Sequence, residues 1–114
     1  MDHPDYDCGV NVAFDVVGTK WKPTILWCLS QGARRFAALR REVGAISEKV
    51  LAQQLRELER DGIVTRTVHE GFPLRVEYTL TERGTRLDAA LTAVAEWGEQ
   101  NVDHVVAARA SAHA

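Results

Sequence analysis

Apolar residues recur at helical spacing in five stretches of this chain, and a pair of alternating runs separates the fourth from the fifth. Between Gly9 and Gly18, Val10, Ala13, Phe14 and Val17 fall on one helical face, while Val12 and Val16 widen it. A helix so short and so apolar has to be enclosed, by its own domain or by a second chain. Pro23 suits the first turn of a second helix carrying Ile25, Leu26 and Leu29, with Gly32 placed to stop it. A third helix covers 36–43 and closes at Gly44. The fourth has the clearest bounds. Ser47 is a good N-cap, Ile46 and Leu51 take the two positions of a hydrophobic staple, and Gly62 is a C-terminal stop. Leu51, Leu55 and Leu58 share one face, which leaves Lys49, Gln53, Arg56 and Arg60 on the opposite one.

The period then changes from 3.6 to 2. Runs at 63–69 and 75–80 read as strands, with Val76, Tyr78 and Leu80 alternating against Arg75, Glu77 and Thr79. Residues 70–74 join them as a hairpin loop, in which Phe72 and Pro73 are expected to pack. Thr81 caps a last helix whose stripe runs Leu87, Leu91, Val94, Gly98, Val102 and Val105, with Trp97 beside it. At 1.5 Å per residue this helix reaches roughly 35 to 40 Å, and its far end has nothing in the chain to pack on. The Ala-rich end, 107–114, is expected to fray.

Helix, three-residue turn at Gly44-Ala45-Ile46, helix is helix-turn-helix spacing. With the hairpin after it, the order predicts a mainly α fold: a winged helix-turn-helix with a two-stranded β wing and added N- and C-terminal helices. All 114 residues are assigned to a single domain, because about 100 to 200 residues serve one core. The stripes on the first and last helices predict a homodimer interface made by Val10, Phe14, Val17, Leu87, Leu91, Val94 and Trp97.

Charge sharpens this picture. The net charge of −2 argues at first against a nucleic-acid partner. Its distribution reverses that impression, with −2 over residues 1–33, +3 over 34–60 and −3 over 61–114. A basic segment flanked by acidic ones is expected where one surface faces phosphate. Gln pairs bidentately with adenine and Arg or Lys with guanine, so Lys49, Gln53 and Arg56 are the candidate base readers, with Ser47 within reach of phosphate. Arg34 and Arg35 are candidate phosphate clamps, Arg40 and Arg41 weaker ones, and His69 and Arg75 flank the wing tip.

Other chemistries find no foothold. The chain lacks a phosphate-cradling Gly loop, an HExxH, a nucleophile elbow or a paired carboxylate site, so neither catalysis nor a cofactor is expected. His3, His69, His104 and His113 are too scattered for a metal site. Cys8 and Cys28 make no disulfide framework, and Cys28, in line with Ile25 and Leu29, reads as core. Trp21, Trp27 and Trp97 are assigned to core and interface packing rather than to a ligand pocket. No apolar run approaches the roughly 20 residues that span a bilayer, and the acidic start is unlike a signal peptide, so a cytoplasmic, nucleoid-associated protein is expected.

A series of short matches goes further: Cys8, Asp15-Val16-Val17-Gly18, Lys20-Trp21, Arg34-Arg35-Phe36, Leu39-Arg40, Ile46-Ser47, Lys49-Val50-Leu51, Leu55-Arg56-Glu57-Leu58, Gly62 and Arg75-Val76-Glu77-Tyr78-Thr79-Leu80-Thr81. In order and spacing, over about residues 8–98, they resemble the HxlR-type bacterial transcriptional regulators. That resemblance implies a dimeric winged-helix repressor or activator on double-stranded DNA, at a pseudo-palindromic operator. It also implies a small-molecule or oxidant effector, with Cys8 at the position where some members carry a sensing cysteine. Pro commonly follows that cysteine in the family, whereas Gly9 stands here and leaves the backbone beside the thiol looser. The alternative is a winged-helix protein–protein interaction module without specific DNA binding.

Overall fold

The computed structural model describes residues 1–112 and contains seven elements in chain order. These are α1 (Gly9–Val17), α2 (Lys22–Ser30), α3 (Phe36–Val43), α4 (Glu48–Arg60), β1 (Val64–His69), β2 (Arg75–Leu80) and α5 (Glu82–Ala112). The core lies where α2, α3, α4 and the sheet converge. Ile25, Leu26, Leu39, Leu51, Leu55 and Leu58 are all sealed from solvent there, with Ile46, Ile63, Val64 and Tyr78 around them. Each such side chain contributes about 1.5 to 3 kcal/mol on burial, so the leucine face of α4 is what seats that helix.

Local chemistry sets the helix ends. The Ser47 hydroxyl accepts from the Val50 N–H at 3.1 Å, satisfying one of the unpaired donors of the first turn. At the other end Gly62 takes φ +74°, a left-handed conformation that lets the Ile63 N–H donate back to the Leu58 carbonyl at 2.9 Å. Thr81 starts α5 in two directions: its Oγ1 accepts from the Gly84 N–H at 3.0 Å and donates to the Gly62 carbonyl at 2.6 Å. One hydroxyl thus ties the α4 exit to the α5 entry.

β1 and β2 pair antiparallel, from Val64 opposite Leu80 to His69 opposite Arg75. A bridge absent from the sequence reading extends this sheet. The Arg34 N–H donates to the Tyr78 carbonyl at 3.0 Å and the Arg34 carbonyl accepts from the Tyr78 N–H at 2.8 Å, so the segment ahead of α3 clamps the wing to the helix-turn-helix unit.

Three expectations are corrected. Val17, expected at the dimer interface, is only 2% exposed and packs inside its own chain, because the last turn of α1 lies against the core. Phe72 does not pack in the hairpin loop but is fully exposed, with Leu74 also largely open, since the tip of a two-stranded sheet has no layer above it. The Ala-rich end does not fray at Ala107: α5 continues through Ala112, as expected for the residue with the best helix propensity. Residues 113–114 of that expected tail lie outside the described residues. With 31 residues α5 is about 46 Å long and accounts for most of the 56 Å long axis.

Candidate nucleic-acid interface

Burial of Leu51, Leu55 and Leu58 turns the other side of α4 outward, where Lys49, Gln53, Arg56 and Arg60 are all exposed. Arg60 is occupied by Asp61, at 3.0 Å from its Nε. Lys49 and Arg56 form no ion pair within the described residues, so their charge is free for phosphate or a base edge. Ser47 is exposed beside them, and while its oxygen caps the helix its O–H remains free to donate to a phosphate.

An open depression of roughly 650 Å³ lies against the start of α4, bounded by Phe36, Ala37, Arg40, Arg41 and the turn from Gly44 to Glu48. Arg40 braces the turn, its Nε donating to the Ile46 carbonyl at 3.2 Å and its Nη1 reaching Glu48 at 3.3 Å. Helix N-terminus, exposed Arg41 and Ser47 together favour an anion at this point.

The remaining site residues divide. Arg35 is exposed and leads into α3. Arg34 is turned onto its own chain, with Nε bridging both Glu42 oxygens at 2.9 and 3.1 Å and Nη1 on the Ala33 carbonyl. On the wing Arg75 is exposed, whereas half-buried His69 lies 3.2 Å from Glu77 on the neighbouring strand.

Sequence reasoning missed what holds α4 in place from behind. Lys22, at the start of α2, is 2% exposed, and its Nζ donates to Glu57 Oε1 at 2.6 Å. Thr19 donates from its hydroxyl to Gln54 Oε1 at 2.7 Å and accepts from the Lys22 N–H at 3.2 Å. Lys22 thus holds the Glu57 carboxyl below the usual range, with smaller help from Gln53 and Arg60. Both ties join residues 35 apart in sequence, so no local periodicity could announce them.

A second surface lies away from α4. Val10, Phe14, Val94 and Trp97 are each more than half exposed, as is Trp27, while Leu87 and Leu91 pack partly against the core. Between α1, α2 and α5 lies a groove lined by Phe14, Pro23, Trp27, Leu91 and Val94 and edged by Asp88, Glu96 and Glu99. Burial pushes the Asp88 carboxyl up. Trp21 is half-buried, with the Lys20 ammonium 4.7 Å from its ring centre.

The two thiols differ. Cys8 is exposed at the N-cap of α1, whereas Cys28 is 2% exposed and burial, followed by the nearby Glu42 charge, pushes its thiol up. Among the described residues no cluster of His, Cys, Asp or Glu could hold a metal ion, and no helix is long and apolar enough to cross a membrane.

Comparison with known proteins gives one consistent result. Residues 16–106 match the model of the HxlR-like helix-turn-helix. The HTH-type transcriptional regulator YtcD of Bacillus subtilis (strain 168) is 39% identical over 92% of this chain and 83% of its own length. Among solved structures, the redox regulator HypR in its reduced form superposes with a TM-score of 0.82 at 41% identity, covering 88% of this chain and 99% of that one. The reduced form of the transcriptional regulator YodB from B. subtilis gives 0.74 at 38% identity, covering 83% and 94%.

Proposed function

The chain belongs to the HxlR-like helix-turn-helix family of transcriptional regulators, and we propose that it acts as a homodimer placing α4 of each subunit in successive major grooves of a pseudo-palindromic operator. The observation that carries this reading is the exposed row Lys49, Gln53 and Arg56 on a capped helix whose opposite face is wholly buried. Such a helix is rigidly seated and offers side chains only outward. Gln53 and Arg56 read bases; Lys49, Ser47, Arg35, Arg41 and the wing residue Arg75 meet phosphate. Arg34 joins them only by giving up Glu42.

Alanine at Gln53 or Arg56 should cost about 1 to 3 kcal/mol on the operator and clearly less on random duplex. Band shifts on both sequences measure this. Equal losses on the two would reduce these residues to backbone contacts, and the absence of any salt-dependent shift would favour a protein–protein interaction module instead.

Cys8 favours a second layer of function, response to oxidants, because it is the exposed thiol while Cys28 is enclosed. Two Cys8 thiols of a dimer, or Cys8 and a small thiol, would lose two protons and two electrons to an oxidant such as a peroxide, giving a disulfide and the reduced oxidant. Strain passed through α1 would then weaken DNA binding. Native protein should incorporate one equivalent of a thiol reagent rapidly, at Cys8, and the second only on unfolding. Operator release by oxidant that persists unchanged in Cys8→Ser would place the switch elsewhere.

A further inference from the structure

We propose that Glu57 is a positioning residue for base recognition: anchored by Lys22 from the far side of α4, its carboxylate fixes the amide of Gln53 in the orientation that selects adenine. The proposal rests on the reading of Gln53 as a base contact and adds what decides which base it reads. Glu57 stands one helical turn beyond Gln53, half-buried at the edge of the leucine face. Its two oxygens are divided between two donors. Oε1 takes the buried Lys22 ammonium at 2.6 Å, and Oε2 takes Gln53 Nε2 at 3.4 Å.

An ionised carboxylate only accepts hydrogen bonds, so this contact favours the Gln53 amide with its N–H turned toward Glu57. Its reversed orientation would set Oε1 of the amide against Oε2 of Glu57. Lys22 keeps the carboxyl ionised, and being enclosed itself it cannot swing away to another partner. With one N–H given to Glu57, Gln53 retains one N–H and the carbonyl oxygen for DNA. Adenine offers N7 as acceptor and N6–H as donor, which this remainder matches. Guanine offers two acceptors and would require two donors. Gln53 is therefore presented as an adenine reader before DNA arrives, and the group that makes it so touches no base.

The test is selection of the full-length protein on a library randomised across the operator half-site, for the parent, Gln53→Ala, the paired change Lys22→Met with Glu57→Gln, and Glu57→Asp. The paired change removes the buried charge together with its partner. Glu57→Asp keeps the charge beside Lys22 while drawing the carboxylate one methylene back from Gln53. The parent should prefer adenine over guanine about tenfold or more at one position, and Gln53→Ala should erase that preference. Both other variants should lower it several-fold at that position alone, with the other positions and the salt slope unchanged. Full discrimination in folded variants, or a uniform loss at all positions, would overturn the proposal and leave Lys22 and Glu57 a purely structural pair. Should Gln53→Ala itself leave every preference intact, the base-reading assignment fails first, and the inference with it.

Discussion

Val94→Glu should leave each subunit folded, convert the dimer to a monomer and cut specific operator binding roughly 100-fold or more. Val94 is 55% exposed within its own chain, so a glutamate there stays hydrated in the free subunit, and it favours helix at least as well as valine. In an assembled dimer the same carboxylate would enter an apolar surface formed with Phe14, Trp27 and Trp97. Asp88, Glu96 and Glu99 already edge that groove with negative charge. Desolvation and like-charge repulsion then both oppose association. A single subunit offers one recognition helix and too few base contacts for a specific site, so affinity falls toward the random-duplex level. Leu91 is a poorer probe, because it packs partly on its own core and a charge there would confuse folding with assembly. Sedimentation at micromolar concentration checks the prediction. A Val94→Glu dimer with undiminished operator affinity would show that the α1 and α5 stripes are not the interface.

Gly84→Ala is expected to destabilise the subunit by about 3 kcal/mol and to lower Tm by roughly 10 °C or more. Gly84 is buried in the first turn of α5, and a β-carbon there would be driven into the Ile63 carbonyl, with the Ile63 side chain also close at 3.2 Å. The obstacle is backbone, so no rotamer change relieves it. That carbonyl also accepts from the Thr81 N–H at 3.0 Å, which fixes it in place. Relief requires α5 to lift from the start of the wing, and in a domain with only about 5 to 15 kcal/mol of total stability that is a large fraction. A thermal melt decides the matter. A variant melting within about 2 °C of the parent would mean that the α4 exit and the α5 entry have slack that the close approach conceals.

Gly84 and Lys22 illustrate the same limit on reading a chain. Each is an ordinary letter in its own stretch: a glycine near a helix start, and a lysine before a proline. What makes them consequential lies 21 and 35 residues away, at Ile63 and Glu57. Arg34 behaves likewise. Its position ahead of a helix suggests a phosphate clamp, but the fold brings Glu42 to its Nε and sets its backbone against Tyr78.

By itself the sequence determined the elements, their order and the outward face of α4. Those depend on rules acting within one or two turns: the leucine period of 51, 55 and 58, the Ser47 and Thr81 caps, the Gly62 stop and the alternation through 75–80. The motif resemblance named the family for the same reason, since its residues are those local signals together with the face they expose. Only the tertiary structure decided which apolar residues its own core consumes and which it leaves open, so that Val17 went inward while Phe14 and Val94, on equally apolar stripes, stayed out. It alone placed a buried ammonium behind α4. Hydrophobic periodicity states that a face must be covered, whereas the identity of the covering group follows from packing across the whole chain.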